Sequence, residues 1–141
     1  MSIISIKQKL QNERVLAVLA PSIYQPTPQK LQTLAAQYAS APDIAAFGDI
    51  EEDAVRGVII LKPADSGCWE ILRISCAPDH RRRGVARGLI AFALRKTGAH
   101  TLLAETDDDA VDFYRRCGFS VTPLGELYPS VSRYRCILSR P

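Results

Sequence analysis

The sequence has no apolar run approaching the ~20 residues that a membrane-spanning helix needs, and residues 1–20 show no basic start followed by an apolar core. Neither export nor membrane anchoring is expected. Histidine is scarce: two residues, His80 and His100, stand beside four cysteines, and neither lies at zinc-ligand spacing from a thiol. No Cys-x-x-Cys pair occurs, so no metal is expected, and Cys68, Cys76, Cys117 and Cys136 read as reduced thiols of a cytoplasmic protein. A large excess of one charge is also missing. The formal net charge is +3, the basic residues gather at 81–87, and no aromatics alternate with them, which argues against a nucleic-acid partner. Repeats, low-complexity stretches and linkers are absent too, which leaves one domain over residues 1–141.

What remains is the composition of an ordinary globule, 47% hydrophobic and 23% charged. The apolar residues of positions 1–20 predict helix, although their stripe is uneven. Thr27-Pro28 is a helix start, a capping hydroxyl followed by proline in the first turn. Leu31, Leu34, Ala35 and Tyr38 then fall on one helical face. Residues 44–50 and 54–61 predict an antiparallel hairpin, and residues 68–76 a third strand. Strict alternation puts Trp69, Ile71 and Arg73 on one side of that strand and Glu70, Leu72 and Ile74 on the other. A helix over 84–96 stopped by Gly98 and a strand over 100–105 follow. Thr106 to Asp109 has capping-box spacing, and a helix of about three turns runs from there to Gly118. Residues 119–121 predict a strand start, 122–130 a long connection and 131–138 a final strand. This mixture predicts an α/β or α+β sheet packed by helices.

One stretch promises chemistry. Strand 70–76 leads through a polar elbow into Arg81-Arg82-Arg83-Gly84 and a helix rich in small residues. The first free N–H groups of a helix carry partial positive charge and suit an anionic phosphate. A glycine there removes the Cβ that would keep a ligand away from the backbone.

The run Arg81-x-x-Gly84-x-Ala86 resembles the acyl-CoA pyrophosphate loop of the GNAT superfamily of N-acetyltransferases. The later run from Ala110 through Phe113-Tyr114 to Gly118-Phe119 is similar to that superfamily's second signature, a helix ending in Tyr-x-x-x-Gly-Phe. The resemblance covers residues 44–138 and implies a mixed, mostly antiparallel sheet flanked by helices, with a splayed strand pair forming an acyl-CoA cleft. It implies acetyl-CoA as co-substrate, direct transfer to a primary amine of a small molecule or peptide, and neither metal nor covalent enzyme intermediate. The pyrophosphate would meet Arg81, Arg82, Arg83, Gly84, Val85, Ala86 and Arg87, and the pantetheine arm the backbone of Ile74, Ser75 and Cys76. By the same analogy, a homodimer would form through the C-terminal strands.

Tyr114 falls where the superfamily often places the general acid that reprotonates the CoA thiolate; it also lies on an apolar stripe, as a core tyrosine packed against the cofactor would. Glu70, eleven residues before Arg81, matches the offset of a general-base glutamate in one branch of the superfamily, and equally suits a solubilising edge residue. Asp109, with Asp107 and Asp108, stands where an asparagine often contacts pantetheine; helix capping is the simpler role. The rival reading in function is an acyl-CoA-binding or partner-binding module without turnover. The acceptor pocket is expected from residues 21–40 and 122–130.

Overall fold

The structure, a computed structural model, describes residues 2–80, 84–128 and 131–140. Where the apolar spacing predicts helix over residues 1–20, it has a strand β1 (Ser2–Ser5), a 3-10 turn at Lys7–Lys9, and helix α1 (Glu13–Leu19). The Asn12 side chain caps α1 by accepting the Arg14 N–H at 2.9 Å. Helix α2 (Pro28–Ser40) begins as predicted, with the Thr27 hydroxyl accepting the Lys30 N–H at 3.1 Å.

Strands β2 (Ala45–Glu51) and β3 (Ala54–Pro63) form the expected hairpin. Its two turn residues, Glu52 and Asp53, both take positive φ, 50° and 67°, which matches the twist of the flanking strands. Then come β4 (Cys68–Cys76), a 3-10 turn at Pro78–His80, and α3 (Val85–Thr97) closed by Gly98. Strand β5 (Thr101–Asp107) runs two residues past the expected end. Thr106 is therefore a buried strand residue paired with Tyr134, not a helix cap. Helix α4 (Val111–Arg116) is correspondingly short, with Ala110 at its N-cap and no capping side chain. The expected connection over 122–130 is largely strand: β6 (Ser120–Tyr128) forms a hairpin with β7 (Val131–Ser139).

The seven strands make one sheet in the order β1-β2-β3-β4-β5-β7-β6. Every neighbouring pair is antiparallel except β4 and β5, which α3 joins as a parallel crossover. This is the predicted mixed, mostly antiparallel sheet. Strand β3 is apolar on both sides because both are covered. Val58 and Ile60 pack with Ile6, Leu10 and Leu19 under α1, while Ile59 and Leu61 pack with Leu89 and Leu102 under α3. Among the described residues no helix is long and apolar enough to cross a membrane.

Helix α3 sits very close to the sheet at Gly57. A Cβ built there would lie 2.7 Å from Val85 Cγ1 and 3.0 Å from Leu89 Cδ1. Gly57→Ala is therefore expected to destabilise the fold by about 1–3 kcal/mol through overpacking. A denaturant midpoint equal to that of the natural protein would show that α3 yields freely.

Candidate active site

The candidate site begins with an irregularity in β4. Its register against β3 shifts between Ile60 and Leu61, so that Ile60 faces Arg73 while Leu61 faces Ile71, and Leu72 is the extra residue of a bulge. The bulge inverts the side-chain parity of the strand. Trp69 and Ile71 before it, and Ile74 and Cys76 after it, all pack toward α3 and α4. Leu72 packs toward α1 instead, and Arg73 and Ser75 bond to residues on that face. Strict alternation thus misplaces Arg73, which shares the face of Glu70.

Strand β4 pairs with β3 along its length but with β5 only over Cys68–Glu70 against Thr101–Leu103. Beyond Glu70 the β5-facing edge of β4 has no strand partner among the described residues, so residues 71–75 can present N–H and C=O groups to another chain-like ligand. This is the splayed pair that the sequence leads one to expect. Where the strands part lies a cleft of about 710 Å³, lined among others by Glu70, Ile74, Asp109 and Tyr114. Four candidate residues from three separate stretches thus meet in one cavity.

Tyr114 is buried, held edge-on between the rings of Phe113 and Phe119 at centroid distances of 5.1 and 5.2 Å. Burial, with smaller contributions from the Cys136 and Cys117 thiols, pushes its phenol well above the ordinary range. Its hydroxyl has no hydrogen-bond partner among the described residues, an uncommon condition for a buried polar group. Glu70 sits at the cleft with its carboxylate 3.9 Å from the Lys62 ammonium, at the outer limit of an ion pair. Asp109 donates its backbone N–H to the Asp107 carboxylate at 3.0 Å, which folds the turn after β5 along the cleft wall.

The other predicted contacts lie along the strand and at the start of α3. The Ser75 hydroxyl donates to the Val18 carbonyl at 2.6 Å and ties α1 to the sheet, which leaves only its backbone for a ligand. Ser75 and Cys76 do not line the cleft, whereas Ile74 does. Gly84 has φ of 79°, a conformation that glycine adopts without strain, and among the described residues no atom beyond its chain neighbours lies within 4 Å of where its Cβ would stand. The first bond of α3 is from the Gly88 N–H to the Gly84 carbonyl, so the N–H groups of Val85, Ala86 and Arg87 precede the ladder. Arg87 donates to the Arg116 carbonyl at 2.5 Å, where it meets the negative end of α4. Arg81, Arg82 and Arg83 lie outside the described residues.

Ser22-Ile23-Tyr24, from the segment 21–40 expected to shape the acceptor pocket, completes the cleft wall together with Arg73 and Arg133, which no motif in the sequence marks. An arginine inside an otherwise apolar strand was the available signal for Arg73. A second cavity of about 610 Å³, against α2, shares Ile23 and Arg73 with the cleft. It falls within residues 21–40, the segment expected to shape an acceptor pocket. Among the described residues no cluster of His, Cys, Asp or Glu could hold a metal ion.

A parallel strand pair that splays at its centre, with a glycine elbow at the far end of one strand, is the arrangement that the resemblance to the GNAT superfamily implies. The profile of the acetyltransferase (GNAT) family matches residues 12–119, and the chain belongs to that family. No curated protein matches it by sequence. Solved structures share its fold. One is a proposed acetyltransferase of the GNAT family from Desulfovibrio desulfuricans, at TM-score 0.76 and 23% identity, with 98% of each chain covered. An aminoglycoside 6'-N-acetyltransferase complexed with coenzyme A superposes at TM-score 0.77 and 14% identity over 100% of this chain and 99% of its own. A proposed streptothricin acetyltransferase from Bacillus anthracis, in complex with acetyl coenzyme A, does so at 0.65 and 21% identity over 75% and 68%.

Proposed function

We propose that the protein is an acetyl-CoA-dependent N-acetyltransferase that passes the acetyl group directly to a primary amine. The observation that carries this reading is the convergence of Glu70 and Tyr114 on one cleft, beside the stretch of β4 that has no strand partner on its β5 side among the described residues. The backbone of Ile74 to Cys76 would hold the pantetheine amides, and one N–H of that edge would polarise the thioester carbonyl. The N–H groups of Val85, Ala86 and Arg87, with Gly84 leaving the approach open, would hold the pyrophosphate, and Arg81 to Arg83 would add charge. Asp109 would flank the pantetheine arm.

The attacking nitrogen must be neutral, whereas an alkyl ammonium has a pKa of about 10.4, so a proton acceptor is needed. Glu70 takes that proton, directly or through one water. The C–N bond forms as the C–S bond breaks, and Tyr114 gives its proton to the departing thiolate. Bulk water then restores both groups, and the net products are the N-acetyl amine and free CoA.

Calorimetry with acetyl-CoA and measurement of CoA release across an amine panel test this reading, and absence of acetyl-CoA binding sinks it. Glu70→Gln is expected to lower kcat/KM about 10²-fold near pH 7. The deficit should shrink as pH rises toward 10, because the amine then sheds its own proton. A deficit that is constant with pH would show that Glu70 is not the base.

A further inference from the structure

We propose that the acceptor is a small zwitterion, an amine that also carries a carboxylate, and that Arg73 is the residue that selects it. The proposal rests on the transferase reading above and specifies what enters the cleft opposite the co-substrate.

The bulge at Leu72 brings Arg73 onto the same face of β4 as Glu70, and both line the cleft. Three residues of extended strand place the two roughly 10 Å apart along the backbone, a span that their side chains can close around one small molecule. Glu70 would take the ammonium end and Arg73 the carboxylate end.

Arg73 is held in place by neutral groups. Its Nε–H donates to the Tyr38 hydroxyl at 3.3 Å and an Nη1–H to the Ser22 carbonyl at 2.8 Å. A guanidinium has five N–H donors, so three remain. Among the described residues Arg73 makes no ion pair, although it is only partly exposed. A half-buried cation without a counter-ion carries a desolvation penalty that an anion would offset, and its planar fork suits a carboxylate. It lines both cavities, at the place where the acceptor would lie.

The remaining charges agree with this. Arg133, on β7 across the cleft, likewise makes no ion pair among the described residues. Two of the other cleft carboxylates are engaged. Glu105 pairs with Arg135 at 3.2 Å, and Asp107 accepts the Asp109 N–H. The cleft lining thus carries the carboxylates of Glu70, Glu105, Asp107 and Asp109 beside two guanidinium groups without an ion pair among the described residues, a mixed charge that suits a ligand with one charge of each sign.

The test compares matched substrates on the natural protein: L-α-amino acids against their α-amides, and β- and γ-amino acids against the corresponding decarboxylated amines. At least one carboxylated member should be acetylated with a kcat/KM at least about tenfold above that of its uncharged partner. Arg73→Met should lower the preference for the carboxylated substrate over its amide about tenfold or more, chiefly through a higher KM for the carboxylated member, and Arg73→Lys should restore part of that preference. Equal or better turnover of the amides and diamines by the natural protein overturns the proposal while leaving the transferase reading intact. So does binding of acetyl-CoA without acetylation of any carboxylated amine. Equal losses on both members of a pair in Arg73→Met would assign Arg73 to holding Ser22 and Tyr38 in place. The natural-protein comparison decides the matter even if Arg73→Met does not fold.

Discussion

Tyr114→Phe is expected to lower kcat about 10²-fold and leave acetyl-CoA affinity unchanged, because it removes one proton donor and no packing area. The ring is wedged between Phe113 and Phe119 and the hydroxyl has no partner in the described protein, so the variant should fold as well as the parent. Burial raises the phenol above its ordinary value, which is a handicap for an acid facing a thiolate whose usual pKa is about 8.5. The thiolate would leave within the same cleft, however, and desolvation raises its proton affinity as well. The raised value also keeps Tyr114 protonated across the neutral range. A group whose folded pKa lies above its unfolded value contributes stability below the unfolded pKa, and that contribution fades as pH rises beyond it. The parent should therefore lose stability above pH ~10 more steeply than the phenylalanine variant. Unchanged kcat in Tyr114→Phe would return this residue to the role of core packing.

The second large effect is expected at the elbow. Gly84→Ala should weaken acetyl-CoA binding about tenfold or more, whereas Gly98→Ala at the other end of α3 should leave it alone. The two sites form a matched pair. Gly84 has φ of 79° and Gly98 of 69°, and at neither does an added Cβ meet an atom of the described residues, chain neighbours aside, within 4 Å. Each substitution therefore forces an alanine into the left-handed region at about 1–2 kcal/mol, without any clash in the protein. They differ in what occupies the open space: solvent beyond Gly98, and by our reading the pyrophosphate beyond Gly84. Calorimetric titration beside thermal unfolding separates the shared strain from the binding loss. Equal affinities in the two variants would remove Gly84 from the cofactor site.

Much of the frame was legible because it is locally encoded. Thr27-Pro28, the glycines closing α3 and α4, and the unbroken apolar run of β3 act through their own backbone and immediate neighbours. What was misread depends on distant partners. Ser2–Ser5 has no strand signature of its own and becomes β1 by pairing with Phe47 to Ile50. Thr106 to Asp109 has the spacing of a helix cap, but pairing of Thr106 with Tyr134 and Asp107 with Arg133 extends β5 through it. In β6, Pro123 and Gly125 read as loop, and two register shifts against β7 accommodate them. The candidate site was legible as motifs: Gly84, Tyr114, Glu70 and the β4 backbone. Arg73 was assigned to the wrong face because one extra residue in a strand changes neither composition nor hydrophobicity, only parity.

The short contact between β4 and β5 has a thermodynamic consequence. Among the described residues, three paired positions join β1-β2-β3-β4 to β5-β7-β6 within the sheet. A ligand lying along the free edge of β4 would act as a surrogate strand and fasten the half-sheets together where the protein leaves them apart. Occupancy and folding would then be linked, with the native state gaining RT ln(1 + [L]/Kd), about 2.7 kcal/mol at a hundredfold excess over Kd. With acetyl-CoA as that ligand, as proposed, the working stability of the chain would follow the acetyl-CoA concentration of its surroundings.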